Sequence, residues 1–299
     1  MKIKNLLKNR AAAKNKIASR RYTRSKFGNF LNFFLLTVAG LFTMLPLIYA
    51  VCTSFKPLDE LLIFPPRFFV KRPTLGNYLA LPDLMASLKV PLSRYLFNSL
   101  MITAVTVFIY ILVAAMAAFV LAKATFKGRK FLFWVVQFAL MFNAYTLSVP
   151  QYLIFSKLHL IDTYWIYILP YMASTLGVFL LKQYIEGYIP NALLEAAKID
   201  GASHYRIFWS VVMPVIKPAW LTLMLFSFRD VWSSVPNGTI FTEQLKTLPQ
   251  IVSQITAGGT ARAGSAMAVT VIMMIPPIIV YLISQSNVVE AMSSAGIKE

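Results

Sequence analysis

An arginine and an aspartate, Arg229-Asp230, interrupt a run that is otherwise apolar or hydroxyl-bearing from Pro218 to Val235. If Lys217 marks a membrane boundary, the helix rises about 18 Å to reach Arg229, which lies inside a hydrocarbon core about 30 Å thick. Charges at such depth are rare and usually face a polar cavity. Phe226, Phe228, Trp232 and Ser233 adjoin the pair. Aromatic faces beside a few hydrogen-bonding groups suit a sugar ring, and a guanidinium suits an acidic sugar or acyl group. The same two charges could instead end the helix at the outer interface, and the residues alone leave both readings open. Asn98 and Ser99, early in another apolar run, could line the same route or hydrogen-bond a neighbouring helix.

Other chemistries are excluded by count or context. His159 and His204 stand far apart in short polar segments, and Cys52 is the sole cysteine. No internal disulfide and no thiolate or histidine metal cluster can be built from them. Gly259 and Gly264 have phosphate-loop spacing within Gly258–Ser265, but Ser265 occupies the place of the essential lysine and no strand precedes it. No nucleophile elbow or paired-carboxylate site is present, so no catalytic residue, metal or cofactor is expected on this chain.

One longer polar stretch, Glu195–Pro218, lies between apolar runs of membrane length. Asn191 is placed to cap a helix of strong formers, Ala-Leu-Leu-Glu-Ala-Ala-Lys-Ile, which Asp200-Gly201 ends. Ser203 is placed to cap a second helix that runs to Pro214 and Pro218, where the chain re-enters the membrane.

The elements that position these residues follow from composition. Hydrophobic residues are 58% and charged residues 13% of 299; a soluble domain carries about 25% charged, so the chain is a polytopic membrane protein. The net charge of +18 has no nucleic-acid motif beside it and no nucleic acid is expected. Residues 1–27 hold ten Lys or Arg and no acid, which reads as an uncleaved inner tail drawn to anionic membrane lipid. Apolar runs over 28–54, 95–122, 131–156, 163–181, 216–235 and 266–289 predict six crossings. Residues 55–94 form an extracytoplasmic loop, 95–290 a core with an inner loop at 186–218, and 291–299 an inner tail. Acid-free basic segments at 1–27 and 123–130 then share one side, so both termini are cytoplasmic. Ala114, Ala118 and Ala122 allow close helix packing. The fold class is all-α, with six transmembrane helices.

Glu195-Ala196-Ala197, Asp200-Gly201-Ala202, Phe208, Met213-Pro214 and Pro218 resemble the "EAA" loop of permease subunits of binding-protein-dependent ABC importers. The variant is similar to that of the maltose-type carbohydrate permeases, with Met213 for the usual leucine. The resemblance covers roughly Leu92 to Glu299, including the Ser294–Glu299 ending. It implies that Glu195, Ala196, Ala197 and Gly201 begin a coupling loop docking on a separate ATP-hydrolysing subunit, which would hold the ATP and magnesium. It also implies a second permease subunit, an extracytoplasmic solute-binding protein touching Asn237–Gly264, a carbohydrate substrate, and a bacterial cytoplasmic membrane. Related permeases carry Trp-Asn where this chain has Trp232-Ser233. Permeases for amino acids, peptides or polyamines, and a motor-free carrier or membrane enzyme centred on Arg229-Asp230, are the alternatives.

Overall fold

A computed structural model of the chain describes residues 26–86, 88–142, 144–236 and 238–296. The basic tail up to residue 25, and Ile297, Lys298 and Glu299 of the expected C-terminal tail, lie outside the described residues. Every regular element among the described residues is helical. The chain divides into two compact units, residues 1–49 and 50–299.

Helix α1 (Lys26–Ser54) makes up the described part of the first unit and runs a few residues into the second. Phe27, Phe33, Leu36 and Phe42 expose themselves on different sides of it. A helix apolar all round has no face for water, as expected of a membrane span.

The second unit contains α2 (Leu92–Lys123), α3 (Arg129–Ala139), α4 (Ala144–Lys157), α5 (Trp165–Met172), α6 (Thr175–Tyr188), α7 (Asn191–Ile199), α8 (His204–Ile207), α9 (Lys217–Trp232), α10 (Leu248–Thr256) and α11 (Ala263–Gly296), with single turns between them. Four helical stretches among the described residues are long and apolar enough to span: 27–54, 92–123, 165–188 and 260–285. The segments 204–215 and 217–232, bent by 78°, make a fifth if taken as one broken span.

The stretch expected as a third crossing, 131–156, is two helices of 11 and 14 residues separated by a turn. Neither alone reaches the roughly 20 residues a span needs, because a hydropathy sum registers composition and not the interruption. The fourth stretch breaks at Ala173-Ser174, where Ser174 is extended, and then continues to Tyr188. Helix α11 runs through the positions assigned to the inner tail as far as Gly296.

The core is built on α2 and α6. Ala114, Ala118 and Ala122 are buried beside Leu181 and Ile185 of α6, Val212 and Ile216 of the segment leading into α9, and Leu223 of α9 itself. Three alanines one turn apart let the backbones approach, which is how helices gain dispersion contact in lipid. Gly177 makes the closest approach: a Cβ there would lie 2.3 Å from the Tyr110 hydroxyl.

Candidate functional site

The polar loop after α6 is held at its start. Lys123, the last residue of α2, donates to the carbonyl of Ile189 at 2.6 Å and to Oδ1 of Asn191 at 2.9 Å. Asn191 therefore spends its side chain on the lysine instead of capping α7; Pro190 occupies the cap position, extended and without a side-chain bond. A proline there suits the site, since its missing N–H would have had no helical partner. Close by, Glu186 pairs with Arg129 at 3.1 Å and with Lys182 at 2.7 Å, fastening the basic loop to α6.

Helix α7 ends in a Schellman motif. The N–H of Ala202 donates to the carbonyl of Ala197 at 3.0 Å, and that of Gly201 to Lys198 at 3.0 Å, with Asp200 at the cap. Closing both bonds requires a left-handed residue at Gly201, whose φ is +78°. The spacing from Ala197 to Gly201 is thus the spacing of a helix terminator. Leu194 turns into the core, while Glu195, Ala196, Ile199 and Asp200 face outward. Ile199 is 87% exposed and Leu193 42%. The outward side of α7 thus carries a small residue and a bare isoleucine around one carboxylate.

Ser203 caps α8, its hydroxyl accepting from the N–H of Arg206 at 3.3 Å. The helix then widens to a π turn over Phe208–Val212, in which Met213 donates to the Phe208 carbonyl. Pro214 has no N–H for the Ser210 carbonyl, and the wider turn adjusts the ladder around it. The 78° bend follows at Ile216, which is fully buried, and Pro218 sits in the first turn of α9. A cavity of about 480 Å³ lies between this loop and the end of α2, lined by Phe119, Lys123, Leu194, Lys198, His204 and Ile207.

On α9 the structure separates the residues that the sequence had grouped. Trp232 is buried and its Nε1 donates to the Met273 carbonyl at 3.0 Å, with Phe228 stacked on its ring at 5.7 Å. These two pack α9 against α11. Arg229, Asp230, Phe226 and Ser233 are exposed. The Asp230 carbonyl accepts from the Tyr171 hydroxyl at 3.2 Å, and the carboxylate lies near enough to act electrostatically on Tyr171 and Tyr110.

Asn98 is also withdrawn. It is completely buried, with Nδ2 donating to the carbonyls of Gln244 at 2.8 Å and Lys246 at 2.9 Å and Oδ1 accepting from Tyr164 at 3.1 Å. It belongs to a clamp that fixes the loop after α9. Tyr95 donates to Glu243 at 2.9 Å, Ser99 accepts from the Leu248 N–H at 2.9 Å, and Tyr167 donates to Gln250 at 2.6 Å. Asp162 accepts from the N–H groups of Phe241 and Thr242, each at 2.9 Å, and from the Thr242 hydroxyl. Partial burial pushes the Asp162 carboxyl up, but these bonds and the charge of Lys246 outweigh it and hold the group below its ordinary value. These clamp residues had no motif of their own. Their one sequence signal was Thr247-x-x-Gln250, the capping box that opens α10.

Comparison with known proteins gives the family: the chain belongs to the binding-protein-dependent transport system inner membrane components, matched over residues 17–294. It is 31% identical over 269 residues to the sulfoquinovosyl glycerol transport system permease protein SmoH of Agrobacterium fabrum, covering 88% of this chain and 91% of SmoH. The arabinooligosaccharides transport system permease protein AraQ of Halalkalibacterium halodurans is 28% identical over 261 residues, covering 85% and 90%. A crystal structure of a bacterial ABC transporter involved in the import of the acidic polysaccharide alginate shares the fold, with a TM-score of 0.73 and 23% identity over 90% of this chain and 99% of that one.

Proposed function

We propose that this chain is one of two permease subunits of an ATP-driven importer that brings a carbohydrate, of oligosaccharide size, across a bacterial cytoplasmic membrane. The observation that carries the reading is α7. Its exposed Glu195, Ala196 and Ile199, ended by a left-handed glycine, have the form of a docking helix in a family defined by dependence on a binding protein. Six crossings with both termini cytoplasmic would place this helix where an ATPase can reach it; α3 and α4 would together complete the third crossing. ATP and magnesium would be held by that ATPase, and this chain would hold neither. The substrate class rests on relatives named for arabinooligosaccharide and sulfoquinovosyl glycerol transport.

The test is purification from native membranes in mild detergent. A second permease and an ATPase should co-purify, and a carbohydrate-loaded binding protein should stimulate hydrolysis in proteoliposomes. Recovery of the chain alone, with solute uptake that needs no ATP, would refute the reading.

A further inference from the structure

The outward side of α9 differs in kind from that of α1. On α9, Thr222, Phe226, Arg229 and Ser233 recur at intervals of four, three and four residues, so they form one stripe. The opposite stripe, Leu223, Ser227 and Val231, is buried in the chain's own core. Phe226, Arg229 and Ser233 are exposed, and Thr222 is half-buried. Thr222 and Ser233 turn their hydroxyls back to carbonyls of the helix, Pro218 at 2.9 Å and Arg229 at 2.8 Å. The guanidinium of Arg229 forms no ion pair with the carboxylates of the described residues.

Two helices give concordant distances from their basic ends. Arg229 lies about 18 Å along α9 from Lys217. Its neighbour Asp230 reaches Tyr171 by a hydrogen bond and Tyr110 by charge, and Tyr110 lies about 20 Å along α2 from Lys123. With Lys217 and Lys123 at the inner boundary, both place the guanidinium within a core about 30 Å thick, where arginines almost always face away from acyl chains. Such a stripe faces water, a ligand or another protein surface.

We infer that the Thr222–Ser233 face of α9 is one wall of the translocation route, and that Arg229 on it selects a carbohydrate bearing an anionic group, a carboxylate or a sulfonate. The inference rests on the importer reading above and adds the charge of the substrate. The guanidinium offers a planar pair of donors to two oxygens of an acid, and Phe226 beside it offers an apolar ring to the flat face of a sugar. Asp230 does not oppose the anion directly. It is turned about 100° round the helix, towards Tyr171 and Tyr110, where it can accept from sugar hydroxyls.

The experiment uses the whole complex with its binding protein in proteoliposomes. The probes are a glucose oligosaccharide and its counterpart with one C6 oxidised to a carboxylate. In the native complex the acidic probe should stimulate ATP hydrolysis and enter better than the neutral one. Arg229→Gln should lower uptake of the acidic probe relative to the neutral one about tenfold or more, the size of a lost charge-assisted bond, with subunit recovery unchanged. Arg229→Lys should retain part of the preference. A complex that hydrolyses ATP with the neutral probe and ignores the acid would overturn the inference and leave the importer reading standing. Loss of the second permease from Arg229→Gln would assign the guanidinium to a subunit interface and overturn it too. A complex that no carbohydrate stimulates, but another class of solute does, would remove the carbohydrate reading itself. In a chain with Cys52→Ala, Ser233→Cys should react with a membrane-impermeant thiol reagent and Phe42→Cys should not; the reverse result would place the stripe in lipid.

Discussion

Gly201 offers the most direct access to coupling, because its cost can be worked out before any measurement. Nothing lies within 4 Å of a Cβ built on it, so an added side chain meets no clash. What it meets is φ of +78°, which costs an ordinary L-residue about 1–2 kcal/mol and asparagine less. Relief of that strain would unwind the last turn of α7, releasing the bonds from Gly201 to Lys198 and from Ala202 to Ala197, and with them the outward setting of Ala196 and Ile199. A tenfold change corresponds to about 1.4 kcal/mol, so Gly201→Ala should reduce stimulated ATP hydrolysis and uptake by roughly five- to thirtyfold. Gly201→Asn should lie between alanine and wild type. Gly201→Asp tolerates the backbone angle about as asparagine does but adds a charge to the proposed docking surface, so it should fall below asparagine and loosen the ATPase during purification. Insertion should be unchanged in all three, since the residue is exposed and outside the packed core. The assay is uptake and hydrolysis in proteoliposomes at matched permease content. Wild-type coupling in Gly201→Ala, or asparagine behaving worse than alanine, would refute the argument from the left-handed cap.

Three further outcomes follow from the hydrogen bonds around this loop and its outer counterpart. Lys123→Met should weaken the tether between α2 and α7 by about 1.5–3 kcal/mol per charged bond lost; ATP hydrolysis should then become less dependent on loaded binding protein, and unchanged dependence would show the tether to be dispensable. Asn98→Leu keeps the size of the side chain but strips donors from the Gln244 and Lys246 carbonyls and an acceptor from Tyr164. Amide exchange over residues 243–250 should accelerate about tenfold, and exchange at the wild-type rate would remove Asn98 from the clamp. The Asp162 clamp should respond to acid in one direction. Its folded carboxyl titrates below its ordinary value, so the stabilisation is complete above the unfolded value near pH 3.9 and is lost as pH falls through the folded one. Protease cleavage of the 238–247 loop should therefore be constant from neutrality to about pH 4.5 and rise only below that, whereas Asp162→Ala should be cut faster at every pH. A rise centred near neutrality would contradict the assignment.

What the sequence disclosed, and what it hid, divides by whether the determinant is local. The cap at Ser203, the terminator at Gly201 and the bend between Pro214 and Pro218 depend on residues within a few positions of one another, and all three stand where the residue types put them. Asn191 failed as a cap for a non-local reason: Lys123, 68 positions away, claims its oxygen. The clamp on the outer loop was illegible for the same reason, because Asn98 and Lys246 are 148 positions apart and nothing in either neighbourhood announces the other. Trp232 and Arg229 make the point most sharply. Three positions apart in the chain, they read together as a recognition site, yet three residues of helix rotate them about 60° apart. That turn is enough to bury the indole against Met273 and leave the guanidinium outside. A sequence names which side chains could bind a sugar, but the packing of α9 between α2 and α11 decides which of them is free to do so. The outward stripe of α9 is therefore the part of the site to mutate first. Exchanging Trp232 tests the helix interface, and exchanging Arg229 tests the ligand. If Trp232→Leu altered substrate preference while leaving assembly intact, and Arg229→Gln did the reverse, the helix would be turned the other way in the working transporter.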